Sequence, residues 1–199
     1  MHLADGVLST PVIVSTYALT VGALGYGAKG LEDEEIPTIA LMAGTFFAVS
    51  LISIPVPPTS VHPLLCGLIG ILLGKRAPLA FLPALFLQAL LFRHGGLSAL
   101  GANTLMLSIP AYVSWFLFRN LPIKNISIKG VLIGALSVIM TLAVLIGLLA
   151  LTDPRFSQGD FSVVRIVTVG HLPLVLAEAF VTSAALTLIH KVKPRWLAS

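Results

Sequence analysis

The sequence predicts an all-α, polytopic integral membrane protein with about seven transmembrane helices. Of its 199 residues 57% are apolar, whereas only 12 are basic and 8 are acidic. Soluble domains carry about 25% charged residues, so this chain has too few charges to cover a water-exposed surface. The long uncharged stretches match the ~20 residues that a helix needs to cross a bilayer. We therefore expect a single transmembrane domain, 1–199, and exclude a soluble enzyme and a disordered tail.

Each predicted crossing is a run that lacks Asp, Glu, Lys and Arg. The longest run, 36–74, is divided by Pro55, Pro57 and Pro58, because proline lacks an N–H group and breaks helices. The runs 61–74 and 77–92 are shorter than a bilayer core, so thin crossings and a re-entrant pair both stay open. The predicted crossings are 6–28, 36–54, 61–74, 77–92, 103–118, 130–151 and 166–190, the last of which contains Glu178.

The basic residues predict the orientation, because cytoplasmic loops retain Lys and Arg. With seven crossings, three basic residues fall on the side of the N-terminus: Arg93, Arg155 and Arg165. Nine fall on the opposite side: Lys29, Lys75, Arg76, Arg119, Lys124, Lys129, Lys191, Lys193 and Arg195. We therefore expect a multi-pass protein of the cell membrane with its N-terminus outside and its C-terminus in the cytoplasm.

Four of the five histidines fall on the outer side of this arrangement, while His190 falls on the inner side. The outer four are His2, His62, His94 and His171. Neutral imidazole is the commonest metal ligand in proteins. No signal peptide is evident, so we expect Met1 to keep a free amine, which can join the amide and ring nitrogens of His2 in a chelate. Planar nitrogen donors favour nickel or copper, and His62 is a candidate for the fourth position.

The remaining polar residues each have a functional and a structural interpretation. His94 lies in a loop and is either a hydrogen-bonding or a ligand-orienting residue. His171 and Glu178 share one helix face, and a carboxylate inside a membrane indicates function unless it serves as a structural partner. Cys66, the only cysteine, is either a buried small side chain or a ligand.

Known catalytic motifs are absent from the sequence. It contains no His-Glu-x-x-His pair, no Gly-x-Ser-x-Gly turn and no phosphate-binding loop of the Walker type. Basic residues cluster only at the predicted membrane edges, which argues against a nucleic-acid partner. We therefore expect a lipid-embedded protein that is not an enzyme.

Several stretches together resemble the cobalt/nickel substrate-binding component of energy-coupling factor transporters. The opening Met-His-x-x-x-Gly and the later Phe-x-His-Gly-Gly-Leu are specific in combination. The stretches that carry the resemblance are 1–9, 57–62, 87–97, 100–105 and 170–173, together with Glu178. The resemblance extends from Met1 to about residue 190.

The resemblance implies six core helices plus an extra N-terminal helix, with the segment 1–10 inserted at the outer face. It implies that the Met1 amine, the amide and ring of His2, and the ring of His62 hold Co(II) or Ni(II) as the transported substrate, with no catalytic cofactor. It also implies a membrane coupling subunit and two cytoplasmic ATPases as partners. Asp5, His94 and Asn103 are candidates for orienting the ligands.

Two other functions stay open at this point. In one, the chain is a self-contained proton-coupled secondary transporter or channel that uses Glu178 and His171 as a proton relay. In the other, it is an intramembrane metalloenzyme in which His62, His94 and His171 hold zinc. The sequence does not choose between cobalt and nickel, since the same nitrogen donors suit both metals.

Overall fold

Helices make up most of the chain in the computed structural model, which describes residues 2–52, 54–56, 59–159 and 162–197. Met1, Pro57 and Pro58 therefore lie outside the described residues. The helices are α1 (Thr10–Ala28), α2 (Ile36–Ser50), α3 (Cys66–Leu73), α4 (Ala77–Phe92), α5 (Leu100–Asn120), α6 (Ile126–Thr152) and α7 (Val163–Val192). The predicted all-α membrane class is confirmed.

Each predicted run overlaps one of these helices, but the helices differ in length. Four of them, α1, α5, α6 and α7, are long and apolar enough to cross a membrane, as is the combined stretch 66–92 that holds α3 and α4. With 8 residues, α3 is about 12 Å long, which is less than half of a ~30 Å hydrocarbon core. The number of crossings therefore stays a prediction.

The predicted crossing 36–54 is shorter in the structure because α2 ends at Ser50. A short antiparallel hairpin follows, with strands β1 (Ile54–Val56) and β2 (Thr59–Val61). Ile54 pairs with Val61 and Val56 with Thr59. The absence of charged residues does not show where the helix ends and the hairpin begins, which explains the difference. The hairpin leads the chain directly to His62.

Small residues bring the helices together. A Cβ atom on Gly70 of α3 would lie 2.2 Å from the carbonyl oxygen of Ala111 in α5, so only glycine allows this approach. Between α6 and α7, a Cβ atom on Gly134 would lie 2.5 Å from the carbonyl oxygen of Glu178. The middle of α7 is thereby held against α6.

The helix α4 separates two polar regions, which we name by their residues. The histidine end consists of His2, His62 and His94, and the last of these follows α4 directly. The Arg76 end consists of Arg76, Glu35 and the last residues of α1, and Arg76 precedes α4 directly. The 16 residues of α4 hold these ends about 24 Å apart.

Candidate functional site

The N-terminal segment is held in place by hydrogen bonds to Leu3. The side-chain amide of Asn103 accepts a bond from the Leu3 N–H group (2.8 Å) and donates one to the Leu3 carbonyl oxygen (3.0 Å). The Gly96 N–H group donates to the same carbonyl (3.0 Å). Leu3 is buried, so these bonds fix the backbone immediately after His2 within the protein.

Two glycines allow the N-terminal segment to approach the loop after α4. Gly95 has a φ angle of +82°, and a Cβ atom there would lie 3.0 Å from Cβ of His2. A Cβ atom on Gly96 would lie 2.3 Å from the backbone nitrogen of Asp5, which is closer than any real contact. Gly96 is therefore required because a side chain would not fit there, and Gly95 is favoured because its backbone adopts a positive φ angle.

Asp5 also binds the N-terminal segment to the loop after α4. Its Oδ1 atom accepts hydrogen bonds from the Ser98 N–H group (2.8 Å) and the Ser98 hydroxyl (2.6 Å). These bonds stabilise the charged carboxylate and lower the pKa of Asp5. Asp5 thus joins the N-terminal segment to the loop that carries His94.

Three imidazole rings meet at the histidine end. The rings of His2 and His62 are stacked, with centroids 4.7 Å apart and an interplanar angle of 14°. The His94 ring lies at a steep angle to both, at 5.9 Å from His2 and 6.1 Å from His62. The sequence predicts these residues on one membrane face, and in the structure their three rings lie next to one another.

Three imidazole nitrogens of this cluster are buried and have no hydrogen-bond partner among the described residues: Nδ1 and Nε2 of His2 and Nε2 of His62. His62 as a whole is completely buried. His62 donates its Nδ1–H to the Pro63 carbonyl oxygen (2.9 Å), so its Nε2 carries the lone pair. Buried polar atoms are normally paired, and unpaired ones call for a ligand or an ion.

Burial also sets the charge of the cluster. It lowers the pKa of His2 well below the ordinary value and lowers the pKa of His94. Both rings are therefore neutral at pH 7, which is the form that binds a metal ion.

An apolar cavity of about 340 Å³ borders the other side of the N-terminal segment. Apart from His2, the described residues that line it are apolar, and they come from the segment, from α6 and α7 and from the turn between these helices, such as Val7, Leu149 and Phe156. Among the described residues, the cavity therefore offers an ion no side-chain ligand besides His2.

His171 and Glu178 lie deeper, on α7, and are both buried. His171 donates Nδ1–H to the Val167 carbonyl oxygen (2.7 Å). Oε1 of Glu178 accepts the N–H groups of Leu64 (2.5 Å) and Leu65 (3.0 Å), just before α3 begins. In these contacts each side chain bonds to backbone rather than to the other. No local pattern in the sequence indicates the bond between Glu178 and residues 64 and 65.

Cys66 begins α3 and is also buried. Its Sγ atom lies 3.4 Å from the Thr141 hydroxyl oxygen on α6. Within the described part of the chain, no three His, Cys, Asp or Glu side chains are close enough together to hold a metal ion by themselves. Among the described residues, buried imidazole nitrogens without a hydrogen-bond partner belong to His2, His62 and His171. The rings of His2 and His62 are also stacked on each other, so they are the candidate metal ligands, and Met1 lies outside the described residues.

Comparisons with known proteins identify the family to which this chain belongs. Residues 2–196 match the family described as "Cobalt uptake substrate-specific transmembrane region". A cobalt transport protein of Sorangium cellulosum is 32% identical over 209 residues, covering 98% of this chain and 93% of that protein. A fused nickel transport protein of Rhodobacter capsulatus is 33% identical over 115 residues, covering 55% of this chain and 33% of that protein.

A solved structure described as a truncated transition metal transporter is also similar. It has a TM-score of 0.79 at 22% identity, and the match covers 96% of this chain and 99% of that one. At this identity the likeness shows a shared fold. The match over residues 2–196 shows more, and the chain belongs to the cobalt-uptake substrate-specific transmembrane family, the membrane components of cobalt and nickel transport.

Proposed function

We propose that this chain is the substrate-binding membrane component of an ATP-driven importer of the energy-coupling factor type. It captures Co(II) or Ni(II) from outside the cell at the histidine end. The substrate ligands are the Met1 amine, the amide and ring nitrogens of His2, and Nε2 of His62. Capture removes water from the ion and replaces it with these nitrogen atoms.

The observation that carries the proposal is a pair of stacked imidazoles, each of which has a buried nitrogen without a hydrogen-bond partner. The rings of His2 and His62 are 4.7 Å apart, and Nε2 of His62 is buried without a hydrogen bond. Two imidazoles leave two positions of a four-coordinate ion to fill. The Met1 amine and the amide of His2 are the nearest nitrogens along the chain, and planar nitrogen donors suit Ni(II).

The proposed partners are a membrane coupling subunit and two cytoplasmic ATPases. The chain has no phosphate-binding loop of its own, so ATP hydrolysis belongs to the partners in this proposal. The excess of Lys and Arg on the side opposite the histidines supports an N-terminus outside the cell and a C-terminus in the cytoplasm. The chain itself catalyses no covalent step.

One added residue tests the N-terminal ligands. The full chain in lipid nanodiscs is titrated with Ni(II) and Co(II), with and without one alanine before Met1. We expect the extension to abolish tight binding, because it moves the amine away from the His2 chelate. Binding of equal affinity by the extended protein would contradict the role of the Met1 amine.

A pair of histidine variants tests the ring. His62→Ala is expected to weaken metal binding strongly, whereas His190→Ala, which alters an exposed histidine at the far end of α7, leaves the affinity unchanged.

Transport is then measured in liposomes. Metal flux that is driven by a pH gradient without ATPase partners would favour the secondary transporter, and metal binding that survives both the extension and His62→Ala would disprove the proposed site.

A further inference from the structure

The four residues from His62 to Leu65 connect β2 to α3 without regular structure. Leu65 has a φ angle of +51°, a left-handed conformation that a branched side chain rarely adopts. Such a conformation persists where the surroundings hold it in place. The position of the His62 ring therefore depends on what holds this segment.

Glu178 holds the segment from the middle of α7. Pro63 has no N–H group, so the first amides after His62 are those of Leu64 and Leu65, and both donate to Oε1 of Glu178 (2.5 and 3.0 Å). The carboxyl group is 1% exposed. Its backbone is fixed in turn, because α6 packs against it at Gly134.

One peptide group links the carboxyl group to the imidazole. The carbonyl oxygen of Pro63 accepts Nδ1–H of His62 at 2.9 Å, and the N–H of the same peptide group, on Leu64, donates to Glu178. Hydrogen bonds in such a chain polarise one another. The arrangement corresponds to the carboxylate–histidine pairs that orient metal ligands, with a peptide group inserted between the two.

We propose that Glu178 is a positioning residue for the metal ligand His62, acting through the Pro63–Leu64 peptide group. This inference rests on the proposed function. The bonds fix the segment 62–65, keep the proton of His62 on Nδ1 and present the lone pair of Nε2 to the ion. Glu178 itself does not contact the metal.

Variants at Glu178 test the inference in the full chain in nanodiscs, with Ni(II) as the probe. Glu178→Ala removes the acceptor, and we expect the affinity to fall by about 10- to 100-fold, as for other residues that orient ligands. Glu178→Gln keeps the carbonyl oxygen that accepts both amides, so we expect binding within about threefold of wild type. The ligand-field absorption of bound Ni(II) should shift in Glu178→Ala and remain in Glu178→Gln.

Leu186→Ala is the matched control for lost stability. Leu186 is fully buried on the same helix, two turns from Glu178, and it packs with Ile71, Phe118 and Ile133 away from the histidines. This variant should lower the melting temperature without changing the Ni(II) affinity or absorption. If Glu178→Ala does not fold, Glu178→Asp replaces it, because the shorter side chain withdraws the acceptor and should bind more weakly than Glu178→Gln.

Two results would overturn the inference while the proposed function stands. In one, Glu178→Ala and Glu178→Asp bind Ni(II) as wild type does and lose only stability. In the other, Glu178→Gln loses as much affinity as Glu178→Ala, which would mean that charge rather than the acceptor matters. Failure of the wild-type chain to bind Ni(II) or Co(II) would instead disprove the proposed function and, with it, the inference.

Discussion

The two ends of α4 bury polar groups in opposite ways. At the Arg76 end, the residue Arg76 is only 6% exposed, and its guanidinium group makes five hydrogen bonds. Three go to carbonyl oxygens at the end of α1, on Gly27, Lys29 and Gly30, and two go to the Glu35 carboxylate. At the histidine end, three nitrogens of His2 and His62 have no partner among the described residues.

This difference distinguishes a region that stabilises the fold from a region that binds a ligand. A buried polar group that is fully bonded stabilises the fold, because removal of one partner leaves the others unsatisfied. A buried polar group without a hydrogen-bond partner destabilises the fold, and its presence is explained by a ligand that binds there. We therefore expect substitutions at the Arg76 end to change stability and substitutions at the histidine end to change metal binding.

The largest effect is expected at Gly96. In Gly96→Ala the new methyl group would lie 2.3 Å from the backbone nitrogen of Asp5, so the N-terminal segment must move away from the loop. We expect Ni(II) affinity to fall by about 100-fold, measured by titration calorimetry. The control is Gly147→Ala, which has no atom within 4 Å of the new methyl group. Equal binding by both variants would show that the docked segment is not needed.

Arg76→Ala tests the other end. The three carbonyl oxygens at the end of α1 lose a donor, and we expect the free energy of unfolding to fall by about 2–3 kcal/mol. The remaining folded protein should bind Ni(II) as wild type does. Unfolding in mixed micelles measures the loss, with the exposed Arg119→Ala as the control. Lost metal affinity with unchanged stability would reverse the proposed division between the two ends.

Asn103→Ala is expected to have a smaller effect on binding than Gly96→Ala. It removes two hydrogen bonds to Leu3 but leaves the bond from Gly96, so we expect Ni(II) affinity to fall by about tenfold. The adjacent Thr104→Val is the control, because the buried Thr104 hydroxyl donates only to Leu100 in its own helix. The two variants should differ in the titration; similar affinities would contradict a role for Asn103 in holding the segment.

The sequence predicts the parts of this molecule that depend on local patterns. Uncharged runs locate a helix in each of the seven predicted crossings, because apolar side chains in a bilayer leave the backbone few alternatives to a helix. The prolines 55, 57 and 58 also predict the break in the long uncharged run, where the hairpin Ile54–Val56 with Thr59–Val61 lies. The end of α2 was predicted less well, because the helix stops at Ser50 and no charged residue marks that position.

Contacts between distant residues were only partly predictable. Of the four histidines that the sequence predicts on the outer side, three lie together in the structure, and they are His2, His62 and His94. The bond of Glu178 to Leu64, across 114 residues, has no local signature, because it depends on how α3 and α7 pack. The approach of Asp5 to Gly96 is similar: the Gly-Gly pair indicates a close contact but not its partner.

The smallest effect is expected from the ion pair at the Arg76 end. Hydrogen bonds from Arg76 lower the pKa of Glu35, so the stabilisation is present above the unfolded pKa of about 4.3 and is lost as the pH falls through the folded value. The Glu35 side chain is 39% exposed, which limits the effect to below about 1 kcal/mol. The melting temperature of wild type should therefore fall between pH 5 and pH 3.

Glu35→Gln should flatten this fall, since the amide does not titrate, and should cost much less stability at pH 7 than Arg76→Ala. The reason is that Arg76 also donates to three carbonyl oxygens at the last turn of α1 and just after it, on Gly27, Lys29 and Gly30, and these bonds do not depend on the charge of Glu35. If the melting temperatures of wild type and Glu35→Gln fall in parallel with pH, the ion pair does not cause the fall. An equal cost for Glu35→Gln and Arg76→Ala would instead show that the ion pair, rather than the carbonyl bonds, stabilises this end.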